Sequence, residues 1–194
     1  MQTGIILLAA GNSSRLGQSK QLVKVNGTPL LRKSAQAAQQ TNCPVVVVLG
    51  SDAETHLTVI ADLNPEVVIN PHWQTGMGSS IKAGLTSLIK TYPGLQAAMV
   101  LVCDQPYLSA NHLQKLLDEL QKQNQLIIAS AYSNTVGVPA IFRKELFPNL
   151  LQLANEAGAR KIIQQFSDQV CSVPFEKGEI DLDTPQDLQH LPKE

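Results

Sequence analysis

Cysteine is scarce in this chain of 194 residues. Cys43, Cys103 and Cys171 are too few and too scattered for a disulfide framework, and no C-x-x-C spacing offers a zinc or redox site. Excess charge is equally absent. Fifteen basic residues against 16 acidic ones leave a net charge of -1, so no broad field steers the protein toward nucleic acid or an anionic membrane. The apolar run at the N-terminus is too short for a membrane span or a secretory core, and no basic segment precedes it. Low-complexity tracts, charge blocks, internal repeats and linkers are missing as well. Neither GxxxxGK[ST] nor GxGxxG occurs. These absences predict a soluble cytoplasmic protein in a reducing compartment, with residues 1–194 forming one domain. Hydrophobic residues make up 43% of the chain, enough for a core without disulfide or metal staples. Any polyanion must then be held by local groups.

What the chain does have is alternation. Short apolar runs at Gly4 to Ala9, Pro44 to Leu49, Glu66 to Asn70, Ala97 to Cys103 and Leu126 to Ala131 predict strands, most of them buried on both faces. Between them, Leu30 to Gln40, Ala53 to Leu63, Ser79 to Lys90 and Ala110 to Gln121 carry apolar residues at helical spacing. This order implies βαβ units and a three-layer α/β/α domain with a mostly parallel sheet, whose ligands bind beyond the carboxyl ends of the strands.

At the end of the first run stands Gly11-Asn12-Ser13-Ser14-Arg15-Leu16-Gly17-Gln18-Ser19-Lys20. Gly11 and Gly17 tolerate close ligand approach and unusual backbone conformations. Ser13 and Ser14 offer hydroxyls, and Arg15 and Lys20 add positive charge. A strand emptying into such a loop predicts a nucleotide phosphate site. The fourth run ends in Cys103-Asp104-Gln105-Pro106, which places a carboxylate at a strand's carboxyl end. Ser109 is better placed than Asp104 to cap the next helix, so Asp104 is a candidate ligand for Mg²⁺, a hard cation that takes oxygen donors. Near the C-terminus, Asp181-Leu182-Asp183-Thr184-Pro185 projects two carboxylates from one face of an extended segment. Asp183 or Thr184 can simply cap a helix starting at Pro185. In Trp73-Gln74-Thr75-Gly76-Met77-Gly78-Ser79-Ser80, the two glycines let the backbone pass close to a ligand, and Ser79 and Ser80 open a helix. Trp73 is expected to pack as core and Met77 to fill a gap.

The string LAAGxSxRxGxxK, followed by Gln21-Leu22 and Gly27-Thr28-Pro29-Leu30-Leu31, resembles the signature of sugar-nucleotide and cofactor nucleotidyltransferases. Within them it is most similar to the molybdenum cofactor cytidylyltransferase branch of the MobA-like family. Cys103-Asp104-Gln105-Pro106 matches that family's metal-aspartate motif, and Asp181-Leu182-Asp183-Thr184-Pro185 resembles its DIDTPxDL signature. Gly137-Val138-Pro139-Ala140-Ile141-Phe142 resembles its GxPxxF, and Gly158-Ala159-Arg160 the end of its GDxGAR. Asn155-Glu156 stands where that last motif usually has Gly-Asp.

The resemblance implies a Rossmann-like fold of the nucleotide-diphospho-sugar transferase type. It implies a nucleotide held by Leu8, Ala9, Ala10, Gly11, Ser13, Ser14, Arg15 and Lys20 with Gly78, Ser79 and Ser80. Arg15, Lys20 and Asp104 would be catalytic, and Asp104 with Asp183, or less readily Asp181, would hold Mg²⁺. Gly137, Pro139 and Arg160 would meet the acceptor. The implied reaction moves CMP from CTP to the terminal phosphate of molybdopterin cofactor. Such a phosphomonoester, with its second pKa near 6, is already a dianion at neutral pH and needs no general base. Relatives that use GTP commonly carry a second glycine where this chain has Ala10. The product would pass to a recipient molybdoenzyme or its maturation chaperone. GTP as donor, a sugar-1-phosphate acceptor, a flavin- or nicotinamide-dependent reductase and a non-catalytic cofactor carrier stay open as alternatives.

Overall fold

The computed structural model describes residues 1–13, 16–182, 184, 186 and 187. Thr3–Ala9 (β1) buries all seven of its residues. Its side chains alternate as a strand's must: Ile5, Leu7 and Ala9 enter the core on one face of the sheet, and Ile6 and Leu8 enter the core on the other. Val45–Leu49 (β4) and Ala97–Val102 (β6) flank β1 in parallel, and Glu66–Ile69 (β5) extends the sheet beyond β4. Short strands Lys24–Val25 (β2) and Thr28–Pro29 (β3) form a separate hairpin whose Val25 packs with Leu30 and Leu182.

Beyond β6 lie Ile127–Tyr132 (β7), Thr135–Arg143 (β8) and Val170–Pro174 (β9). Among the described residues the main sheet runs β5-β4-β1-β6-β8-β7-β9. Only β8 is antiparallel to its neighbours, so the sheet is mostly parallel and the fold is α/β. The helices Leu30–Gln39 (α1) and Ala110–Lys122 (α4) cover one face through Leu31, Ala35, Leu113 and Leu116. Met77–Thr91 (α3), Phe147–Leu151 (α5) and Arg160–Gln165 (α6) cover the other through Ile81, Leu85, Leu150 and Ile162. No helix among the described residues is long and apolar enough to cross a membrane.

The structure departs from the pattern reading in three places. The helix expected over Ala53 to Leu63 stops at Thr58 (α2, Ala53–Thr58) and resumes as a 3₁₀ turn at Ala61–Leu63. Thr58-Val59-Ile60 is a β-branched run that crowds a helical turn, and Ile60 is fully buried. Residues 135–143, read for their site motif, form β8, and 170–174 form β9. Gly137 and Pro139 had hidden the strand pattern of the first, and the second is short and only partly buried.

This topology positions the site. From β1 the chain winds outward to β4 and β5, then returns to the other side of β1 to lay down β6. The order reverses between β1 and β6, which opens a crevice at their carboxyl ends.

Candidate functional site

A cleft of about 310 Å³ occupies that crevice. Leu8, Ala9, Ala10, Gly11 and Asn12 line it from the end of β1, and Val102, Cys103 and Asp104 from the end of β6. Across it Lys20 Nζ meets Asp104 Oδ2 at 3.0 Å. Asp104 is therefore held from several sides. Its carbonyl accepts from the Leu182 amide at 3.1 Å. Gln105 Nε2 donates to the carbonyls of Val138 and Gly178 at 3.2 and 2.9 Å. Lys33 Nζ donates to the Pro106 carbonyl. The Leu182 contact brings the acidic C-terminal segment to the strand end that carries Asp104. Ser109 caps α4 by accepting from the His112 amide, which leaves Asp104 free of that role.

The loop after β1 is braced from inside. Lys20 N–H donates to Ser13 Oγ at 3.0 Å, and Ser13 Oγ donates to Gln21 Oε1 at 3.2 Å. Gln21 Nε2 donates to the Ala9 and Gly11 carbonyls at 3.0 and 2.7 Å. The Ser13 hydroxyl thus serves the loop itself, at a backbone φ of 53°, and Gly17 makes the turn at φ 73°. Gln21, only 1% exposed, is the organiser of this loop. Its sequence signal was its place directly after Lys20 in the family-like string, which gave it no role of its own. Ser14, Arg15 and Asp183 lie outside the described residues.

At the start of α3 the side chains sort differently from expectation. Ser80 faces the cleft. Ser79 donates to the Gly76 carbonyl at 2.7 Å and accepts from Asn70 Nδ2 at 2.8 Å, so its hydroxyl is engaged within the fold. Gly78 does not line the cleft. Its amide donates to the Asn155 carbonyl at 2.8 Å, and a Cβ there would meet the carbonyls of Ala154 and Asn155. Gly76, at φ 122°, is pressed by the same backbone. Both glycines allow a close chain crossing, and Gly76 also lines the cleft. Trp73 and Met77 also differ from the reading as core: both line the cleft, and Met77 is 46% exposed. An aromatic and a thioether at an open wall suit a flat base better than they suit a core.

On the far side, Gly137 and Pro139 are buried within β8, Gly137 directly beneath the Tyr132 ring. Arg160 Nη2 donates to Thr135 Oγ1 at 2.8 Å. Tyr132, which sequence reasoning did not single out, sits among these groups. Burial first, then the charges of Asp181 and Asp104, push its phenol above the ordinary range, while Arg160 pulls it down. Asp104, Asp181, Arg160 and Tyr132 therefore share one electrostatic neighbourhood. Burial and the adjacent Asp104 raise the Cys103 thiol to about 12, so no thiolate nucleophile stands in the cleft at neutral pH.

A carboxylate at a strand end is the kind of hard oxygen donor that a divalent cation takes. No group of three or more metal-ligating side chains gathers among the described residues.

The model of the MobA-like NTP transferase domain matches residues 5–170. Nicotine blue oxidoreductase of Paenarthrobacter nicotinovorans is 33% identical over 171 residues, covering 82% of this chain and 80% of that protein. The molybdenum cofactor guanylyltransferase of Vibrio atlanticus is 25% identical over 195 residues, covering 96% and 94%. Crystalline Rv0371c from Mycobacterium tuberculosis superposes with a TM-score of 0.84 at 25% identity, covering 98% of this chain and 97% of that one. Its complex with manganese superposes at 0.80 with 22% identity, covering 98% of each. By its match over residues 5–170, and by the crevice that match spans, the chain belongs to the MobA-like NTP transferase family and is a nucleotidyltransferase.

Proposed function

We propose that the protein transfers CMP from CTP to the terminal phosphate of molybdopterin cofactor, releasing pyrophosphate. The observation that carries a phosphoryl site is the Lys20–Asp104 pair across the carboxyl ends of β1 and β6. A cation there meets a triphosphate, and a carboxylate there holds a divalent metal. Bound Mg²⁺ would supply charge neutralisation between the two polyanionic substrates. Asp104 would hold it, with Asp183 as the expected second ligand. Lys20 draws negative charge to the transferred phosphoryl group, and Arg15 is expected to do the same. The braced amides of the loop fix the triphosphate, and Trp73 and Met77 form a wall for the base. Arg160, Tyr132 and the β8 segment that holds Gly137 and Pro139 border the space for the acceptor.

Ala10 lines the cleft, and a methyl there in place of a glycine's hydrogen supports CTP over the larger GTP. The guanylyltransferase from Vibrio atlanticus supports the opposite choice of base on the same acceptor. The deciding experiment measures pyrophosphate release from CTP and GTP in competition, with molybdopterin and Mg²⁺. Preferential use of CTP is expected, and preferential use of GTP would overturn the base assignment. The 33% identity to an oxidoreductase favours a second reading, hydride transfer. Nicotinamide oxidation without pyrophosphate release would decide for it.

A further inference from the structure

Helix α2 is almost wholly exposed, and a single residue of it, His56, is buried. A leucine at such a position would anchor the helix by burial alone. Here the imidazole points at the nucleotide loop instead: Nε2 lies 2.7 Å from Ser19 Oγ, 37 residues earlier in the chain. Ser19 Oγ in turn lies 2.9 Å from Gln21 Oε1.

The protons along this path can be assigned. Both hydrogens of Gln21 Nε2 go to the carbonyls of Ala9 and Gly11, so Oε1 must accept, and it accepts from Ser13 and from Ser19. The single hydroxyl proton of Ser19 is then committed, and His56 must be the donor through Nε2–H. Burial lowers the His56 pKa and so favours the neutral ring, against the opposing pull of Asp52 and the Ser51 backbone. Donors and acceptors alternate without conflict from His56 through Ser19 and Gln21 to the backbone. In trans peptides the carbonyl and the following amide point in opposite directions. Fixing the Ala9 and Gly11 carbonyls on Gln21 therefore turns the Ala10 and Asn12 amides to the other side of the loop. The loop's shape is set from outside it.

We propose that His56 is a positioning residue for nucleotide binding, which holds residues 9–13 and 19–21 in their binding shape through Ser19 and Gln21. The proposal rests on reading this loop as the nucleotide site. The test compares wild type, His56→Ala, His56→Gln, Ser19→Ala and the His56→Ala/Ser19→Ala double variant. Three quantities are read well below each melting temperature: CTP and GTP dissociation constants with Mg²⁺, KM and kcat for the nucleotide that turns over, and amide exchange of residues 9–22 without nucleotide.

His56→Ala and Ser19→Ala are each expected to weaken binding and raise KM about tenfold, the scale of one lost hydrogen bond, with kcat changed far less. Loop exchange should accelerate in both. His56→Gln, which keeps an N–H donor, should restore affinity. The double variant should be no worse than either single one, because the chain of bonds acts as a unit. A lowered melting temperature with affinity and loop exchange unchanged overturns the proposal, as does additivity of the two substitutions. If His56→Ala does not fold, Ser19→Ala, which removes only a hydroxyl, decides by the same readouts. A wild-type protein that binds neither nucleotide overturns the proposed function, while loop exchange still decides whether His56 positions the loop.

Discussion

Lys20 and Asp104 neutralise each other across the cleft, with side chains 14% and 23% exposed. The pair is largely shielded from water, so the cost of desolvating both ions offsets much of their attraction, and a phosphate or a divalent cation entering the cleft can take the place of either partner. Asp104→Asn should lower turnover by on the order of 10²-fold or more, the scale of losing one preorganised charged group, and Lys20→Ala should cost a similar factor. Thermal denaturation should place both variants within a few degrees of wild type; an equal loss of folded protein and activity would make the pair structural. His112 offers a residue-scale test of the fold itself. Its Nε2 bonds Ser130 Oγ at 2.7 Å, its ring stacks on Phe175 at 4.1 Å between centroids, and burial lowers its pKa to about 4. The unfolded chain takes up this proton near pH 6.5 and the folded protein only near pH 4. The unfolded state therefore binds more protons between those values, and stability present above pH 6.5 is lost as pH falls through that window. The loss is on the order of 3 kcal/mol. Urea titrations at pH 7 and pH 4.5 should show a flatter dependence in His112→Gln, with a residual slope from His56, whose pKa burial shifts the same way.

At the scale of elements, the start of α3 is clamped to the 154–157 turn. Lys82 Nζ reaches the Leu153 carbonyl at 2.9 Å and Asn155 Oδ1 at 2.5 Å, and Gly78 lets the two backbones touch. Helix propensity alone would make Gly78→Ala stabilising by about 1 kcal/mol. The added methyl, however, collides with backbone carbonyls that no rotamer change can move aside, an overpacking cost of roughly 1–3 kcal/mol. A net drop in melting temperature is expected; a rise would show that the turn yields. This clamp was not legible in the sequence, because a glycine needed for a chain crossing and one needed for a ligand look the same until the partner is seen. The parallel strands and α4 were legible, since Leu113, Leu116, Leu117 and Leu120 share one face and the strands are unbroken apolar runs. Strand β8 was not, because its glycine and proline interrupt the alternation, and the break at Thr58 follows from three β-branched residues that a search for apolar spacing passes over.

Over the whole molecule, a ligand that binds only the folded state must raise its stability, by about 2.7 kcal/mol at a concentration 100 times Kd. For a chain of this length, calorimetry with nucleotide and Mg²⁺ should show a rise in melting temperature of roughly 5–10 °C. The rise should shrink in Lys20→Ala. A shift unaffected by that substitution would place the nucleotide elsewhere. The strand-end position of Asp104 and the loop after β1 were readable because both follow from where an apolar run stops. Gln21, His56 and Tyr132 were not, because their roles depend on neighbours far along the chain. The antiparallel β8 has a further consequence. The nucleotide half of the crevice is made by the ends of β1 and β6, paired strands in the middle of the sheet whose residues are buried on both faces. The opposite rim is made by the β7–β8 hairpin tip at Ser133 and Asn134, both left-handed, and by Arg160 at the start of α6. A hairpin tip accepts insertions and exchanges at little cost to a sheet. The two halves can therefore diversify at different rates, and a protein built this way can acquire a new acceptor, or a new chemistry, while its hold on the nucleotide stays as it was.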